Sequence, residues 1–203
     1  MSPLRRAARP VAALSLTLVL AACGSSDGNG SAGSGMNHGG GSPSSSSVSD
    51  ARTGDIMFAQ MMIPHHEQAI EMAEVALGKD GASEQVKALA TDIKAAQDPE
   101  IQAMTAWLKK WNAAPLSSGD ASHGGGGHGT GMMSDADMGA LRSAEGPEFD
   151  KQWLTMMIEH HEGAVDMAKD VLVTTKDADV KALAEAVVSG QEAEISTMRG
   201  LLG

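Results

Sequence analysis

The sequence predicts an all-α protein: an antiparallel four-helix bundle made of two copies of one αα-hairpin, joined by a long Gly/His/Met-rich crossover. Three observations predict it. Residues 58–73, FAQMMIPHHEQAIEMA, return as residues 153–168, WLTMMIEHHEGAVDMA, so that Met61, Met62, His65, His66, Glu67 and Met72 recur 95 positions later as Met156, Met157, His160, His161, Glu162 and Met167. A second block echoes at an offset of 94, with VKALA at 86–90 and 180–184, and Gln97, Glu100, Ile101 and Met104 matched by Gln191, Glu194, Ile195 and Met198. Outside two Gly/Ser-rich tracts, the apolar residues recur with a helical period and show no strand alternation. Each repeated unit has one apolar face, which only its copy can cover.

Residues 1–22 carry Arg5, Arg6 and Arg9 ahead of an apolar run at 11–22. That run is too short for an ordinary membrane span and reads as an export signal. Leu20-Ala-Ala-Cys23 resembles the lipobox of bacterial lipoproteins, in which the cysteine becomes the lipid-modified first residue of the mature chain. Cys23 is the only cysteine, so no internal disulfide is available and the domain must stand on its core. The alternative is a buried or redox thiol. The chain is therefore expected to be extracytoplasmic, held to a bacterial cell membrane through lipid on Cys23. Loss of the three arginines leaves 12 basic against 26 acidic side chains, a net charge of −14, which argues against a nucleic-acid partner.

Residues 23–49 are Gly/Ser-rich and predict a flexible tether, followed by a folded domain over 50–203: repeat one at 50–112, crossover at 113–133 and repeat two at 134–203. Roughly 130–140 residues are left for the core, enough for one compact domain. The first helix is expected from Asp55 to Leu77. At about 100° per residue from His65, it brings Phe58, Met61, Met62, Ala69, Met72 and Ala76 within about 60° of that histidine. His66 falls near the edge of this face, and Glu67 and Glu71 point away. Gly78 closes the helix.

Ser83 opens the second helical pattern, whose apolar stripe holds Val86, Ala90, Ile93, Ile101, Met104, Leu108 and Trp111, with Gln97 as its polar member. A buried amide needs a partner, either an imidazole from the neighbouring helix or a water or backbone group. Pro64 and Pro99 have no counterpart in the second copy. The first predicts a local kink near the histidines, and Asp98-Pro99 reads as a cap and a new helix start. The crossover, with His123, His128, Met132 and Met133, is a loose tract. A short helix is expected over 134–143, a long one over 148–173 and a last one over 178–202.

The repeated face carries chemistry. Imidazole and thioether together form a soft to borderline ligand set suited to Cu(I) and Ag(I), with Cu(II) acceptable to the histidines. Met61 to His65 and Met62 to His66 are i,i+4 neighbours. The candidate metal ligands are His65, His66, His160, His161, Met61, Met62, Met72, Met156, Met157 and Met167, with Met104 and Met198 from the trailing helices. Taken separately, a methionine stripe is most often core filling and a core-edge histidine a structural group. Here both fall on one face, twice, in an exported chain. Met132 and Met133, on the loose crossover, would have to be ordered before they could bind.

Neither copy has the second histidine of a zinc-protease helix, the Glu-x-x-His set of a di-iron bundle, a nucleophile triad, a P-loop or a dinucleotide fingerprint. No side chain is identifiable as a catalytic acid or base, so the sequence favours a binding protein over an enzyme.

Asp55, Phe58, Met62-Ile63, His65-His66, Ala69 and Met72-Ala73, with Gln97, Glu100-Ile101 and Met104, resemble the motif of the DUF305 family of domains of unknown function. Asp150, Met157-Ile158, His160-His161, Ala164 and Met167-Ala168, with Gln191, Glu194-Ile195 and Met198, repeat it. Trp153 stands where the family motif has Phe. The resemblance covers about 49–112 and 134–202. It implies a ferritin-like helical bundle and, from some members, extracytoplasmic copper binding and resistance. The expectation is a lipid-anchored protein that binds and sequesters copper, mainly Cu(I). The alternatives are a helical interaction module whose histidines are structural, or a copper-dependent oxidoreductase.

Overall fold

The computed structural model describes residues 45–116 and 131–203. Among these residues every regular element is helical: α1 Ser45–Leu77, α2 Glu84–Lys110, α3 Asp135–Ser143, α4 Gly146–Thr174 and α5 Ala178–Leu202. Helices α1 and α2 form one hairpin and α4 and α5 the other, and the two hairpins meet through α1 and α4. The all-α bundle of two repeated hairpins is thus the fold that the sequence predicted. No helix among the described residues is long and apolar enough to cross a membrane.

Short connections make each hairpin antiparallel. After α1, Gly78 N–H donates to Glu74 and Ala82 N–H to Lys79 O. The Ser83 hydroxyl then caps α2 by accepting from Val86 N–H, which satisfies a donor that the helix cannot. Asp150, on α4, accepts from Ser83 N–H at 3.1 Å, tying this corner to the other hairpin. The equivalent corner in the second copy uses Asp177, which caps α5 through Asp179 and Val180 N–H and pairs with Arg52 on α1 at 3.0 Å. The buried Asp55, the repeat partner of Asp150, lies 3.4 Å from the same guanidinium.

Two expectations need correction. Helix α1 starts at Ser45, inside the stretch assigned to the tether. Residues 44–49 contain neither Gly nor Pro, so nothing in them stops the helix from extending backwards. Pro64 and Pro99 both lie inside continuous helices. Asp98-Pro99 therefore does not start a new helix: a proline costs about 3 kcal/mol in a helix interior, less than the burial of the side chains on both sides of it provides. Val86, Leu89, Ala90, Ile93, Met104 and Leu108 are all buried, each large one worth about 1.5–3 kcal/mol.

The core has two clusters, one on each side of the midpoint of α1 and α4. One gathers Met72, Met156, Met157 and Met198 with Phe149, Trp153, Ile93 and Leu141. The other gathers Phe58, Met62, Met104, Leu108 and Val187, with Met167 packed against them. Met72 thus meets Met157, while Met62 shares its cluster with Met167. This register requires α1 and α4 to run antiparallel, crossing between the clusters. The Trp153 indole N–H donates to Met72 O at 2.9 Å, so the largest buried side chain keeps its polar atom satisfied.

Candidate metal centre

The crossing point is occupied by histidine. His65 on α1 and His160 on α4 are each 1% exposed, and their ring centroids lie 3.7 Å apart at 37°. An approximate two-fold relates these rings and exchanges the two clusters: Met72, Met157 and Met198 correspond by repeat to Met167, Met62 and Met104. The repeated faces are thereby brought together, as the repeat suggested they could be.

His66 and His161 flank this pair and are fully buried, although helical geometry placed His66 at the edge of the face. His66 Nε2 lies 2.7 Å from Glu100 Oε2 on α2, and His161 Nε2 lies 2.8 Å from Glu194 Oε2 on α5. Each pair links the two helices of its own hairpin. The ring centroids of His160 and His161 are 6.4 Å apart.

This interior is rich in polar atoms without partners. Neither ring nitrogen of His160 meets a partner in hydrogen-bond geometry, nor does Nδ1 of His66 or His161, either amide atom of Gln97, or Oε1 of Gln191. The imidazole bond expected for Gln97 is not formed. Buried polar groups in proteins are nearly always satisfied, so the exceptions on His66, His160 and His161 make this interior the candidate ligand site. Burial holds His160 well below the usual histidine range, reinforced by the nearby imidazoles of His65, His161 and His66 and opposed only in part by the backbone of His65. His160 is therefore neutral at pH 7, the form in which an imidazole nitrogen can bind a metal.

The methionines divide. Met62, Met72, Met104, Met157 and Met198 are fully buried, Met156 is nearly so and Met167 is half-buried. Met61 is 38% exposed, so it lies off the core face on which the helical angle placed it. No group of three or more His, Cys, Asp or Glu among the described residues has metal-ligand geometry. A metal held here would have to draw on thioethers as well as imidazoles, which again selects a soft cation.

The end of the crossover is docked, contrary to the expectation of a loose tract. Gln68 on α1 accepts from Met133 N–H at 2.7 Å and donates to Met133 O at 2.8 Å. Met133 packs against the Met72–Met157 cluster. Gly131 has φ +72°, and a Cβ there would come within 2.4 Å of Glu159 O and 3.1 Å of His160 Cα. The chain thus passes directly over the His160 turn. The other end is fixed by Gln60, whose amide donates to Ala114 O at 2.6 Å. Cys23, Met36, His38, His123 and His128 lie outside the described residues.

Sequence reasoning noted Glu100 and Glu194 as repeated letters but assigned them no role. Their spacing of three residues from Gln97 and Gln191, on the partly apolar face, was the available signal. Gln68, Gly131 and Met133 left no comparable trace, because the repeat partner of Gln68 is Gly163.

The profile of a domain of unknown function, DUF305, matches residues 55–202. A DUF305 fragment from Deinococcus radiodurans, solved by crystallography, is 33% identical with a TM-score of 0.64, over 74% of this chain and 95% of that one. CopM in its Cu(II)-bound form is 34% identical with a TM-score of 0.63, over 73% of this chain and 95% of CopM. Its Cu(I)-bound form gives 33% and 0.59, over 72% and 94%. An uncharacterised protein of Acanthamoeba polyphaga mimivirus is 42% identical over 53 residues, which span 26% of this chain and 35% of the relative.

Proposed function

The chain belongs to the DUF305 family, and from that premise we propose that it is an extracytoplasmic, lipid-anchored protein that binds and sequesters copper, chiefly as Cu(I), between α1 and α4. The observation that carries the reading is His160: a buried, neutral imidazole with neither nitrogen in hydrogen-bond geometry with a partner, its ring 3.7 Å from that of its repeat partner His65. CopM, similar over nearly its whole length, has Cu(I)-, Cu(II)- and Ag-bound forms. His65, His66, His160 and His161 are the proposed nitrogen donors. Met62, Met72, Met104, Met156, Met157, Met167 and Met198 are the proposed sulfur donors, with Met61 in an outer position. Cys23 is the proposed lipid attachment point.

The test is a competition titration of the tag-free protein with Cu(I) against a chromophoric chelator. Replacing both His65 and His160 with Ala is expected to weaken Cu(I) binding at least tenfold, about 1.4 kcal/mol, with circular dichroism showing the fold retained. A folded double variant with unchanged affinity refutes the site.

The His66–Glu100 and His161–Glu194 pairs favour a second reading, in which the histidines only knit the hairpins of an interaction module. Metal content after purification without a polyhistidine tag separates the two. Turnover of Cu(I) under oxygen would instead place the chain among copper oxidoreductases, a role for which no acid or base can be named.

A further inference from the structure

The two glutamates that face the outer histidines have no role in the reading above. Glu100 and Glu194 stand on the trailing helices with side chains 20% exposed, and each touches the Nε2 atom of a histidine with no exposure at all. A carboxylate can only accept, so contacts of 2.7 Å and 2.8 Å require that Nε2 carry the proton. In the neutral ring, Nδ1 is then a bare lone pair. In both copies that lone pair is buried and has no hydrogen-bond partner. A histidine serving only to join two helices has no need to keep an acceptor both dry and unmatched. The arrangement recurs with a second, separate set of residues.

Resting on the metal-binding reading, we propose that Glu100 and Glu194 are positioning residues: each holds its histidine as the Nε2–H tautomer, so that His66 and His161 present Nδ1 to a soft metal cation. A carboxylate behind a ligating imidazole fixes the ring's orientation and raises its basicity at the donor nitrogen. The carboxylates sit at the water-facing edge, so this is achieved without burying a charge in the sulfur-lined interior. Neither ring nitrogen of His160, which meets the His65 ring at a tilt of 37°, has a hydrogen-bond partner. His66 and His161 therefore form an outer pair with a set tautomer, chemically distinct from His160.

Long-range proton–nitrogen spectra of the 15N-labelled, metal-free protein should show pyrrole-type Nε2 and pyridine-type Nδ1 in His66 and His161. Titration with Ag(I), a diamagnetic stand-in for Cu(I), should then move the Nδ1 signals of both. Glu100→Ala with Glu194→Ala should mix the tautomers and weaken Ag(I) binding about tenfold or more. Glu100→Gln with Glu194→Gln keeps an acceptor oxygen and should retain the tautomer with a smaller loss of affinity. The proposal is overturned if the metal-free protein shows Nδ1–H, or if Ala and Gln pairs leave tautomer and affinity unchanged. It also falls, with the metal reading intact, if Ag(I) binds but perturbs only His65 and His160. If Ag(I) does not bind at all, both readings fail together.

Discussion

Replacing His160 with Leu separates a metal ligand from a structural histidine by the size of its effect on the metal-free protein. His160 is buried, and neither of its ring nitrogens is hydrogen-bonded. An unsatisfied buried polar group costs about 1–3 kcal/mol, so removing the imidazole relieves a penalty of that order. Against this stand the lost contact with the His65 ring at 3.7 Å, worth about 0.5–1.5 kcal/mol, and a shape mismatch of up to about 1.5 kcal/mol. The expected net result lies between about 2 kcal/mol of destabilisation and about 2.5 kcal/mol of stabilisation, together with weakened Cu(I) binding. Urea unfolding of the chelator-treated protein, followed by circular dichroism, measures it. A hydrogen-bonded structural histidine would instead leave its partner unsatisfied, at about 1–3 kcal/mol on top of those two losses, and a destabilisation of about 3 kcal/mol or more would refute the argument.

The same variant has a pH signature. The folded His160 is held well below the histidine range, whereas the unfolded residue titrates near 6.5. Below about pH 6.5 the unfolded chain binds the extra proton first, so stability falls as pH falls, by up to about 1.4 kcal/mol per unit from this group. Above that pH the contribution is flat. His160→Leu should lessen the slope between about pH 6.5 and 5, and an unchanged slope would show that His160 does not set it.

Gln68→Ala removes both hydrogen bonds that clamp Met133. It should cost about 1–2 kcal/mol and accelerate hydrogen exchange at the Met133 amide, while a still-protected amide would show that the clamp is not what holds the segment. Gly131→Ala sets a Cβ against Glu159 O in a left-handed conformation. A loss of about 2 kcal/mol or more in urea unfolding is expected, and a neutral result would contradict the close approach. Cys23→Ser should abolish acylation, and labelled fatty acid still incorporated into the variant would exclude Cys23 as the anchor.

By itself, the sequence determined the helices, their pairing and the identity of the repeated face. Helical periods are local, and a unit written twice with one apolar side has few ways to bury it. Ser83 and Ser134 marked helix starts that the structure keeps, because capping depends only on residues three positions away. Pro99 misled because propensity is also local: burial of the side chains on either side of it outweighs the cost of keeping it in a helix. Only the tertiary structure decided which members of the face meet. Met61 and Met62 are neighbours in sequence, yet one is exposed and the other sealed, since the packing of α2 and α4 against α1 decides which part of its apolar face is covered. The ring contact of His65 with His160, the Glu100 and Glu194 contacts and the docking of Met133 on Gln68 join residues between 33 and 95 positions apart. No local rule carries such a distance. The orphaned nitrogens follow from the same cause, because whether a buried atom is left without a partner depends on every side chain that packs around it.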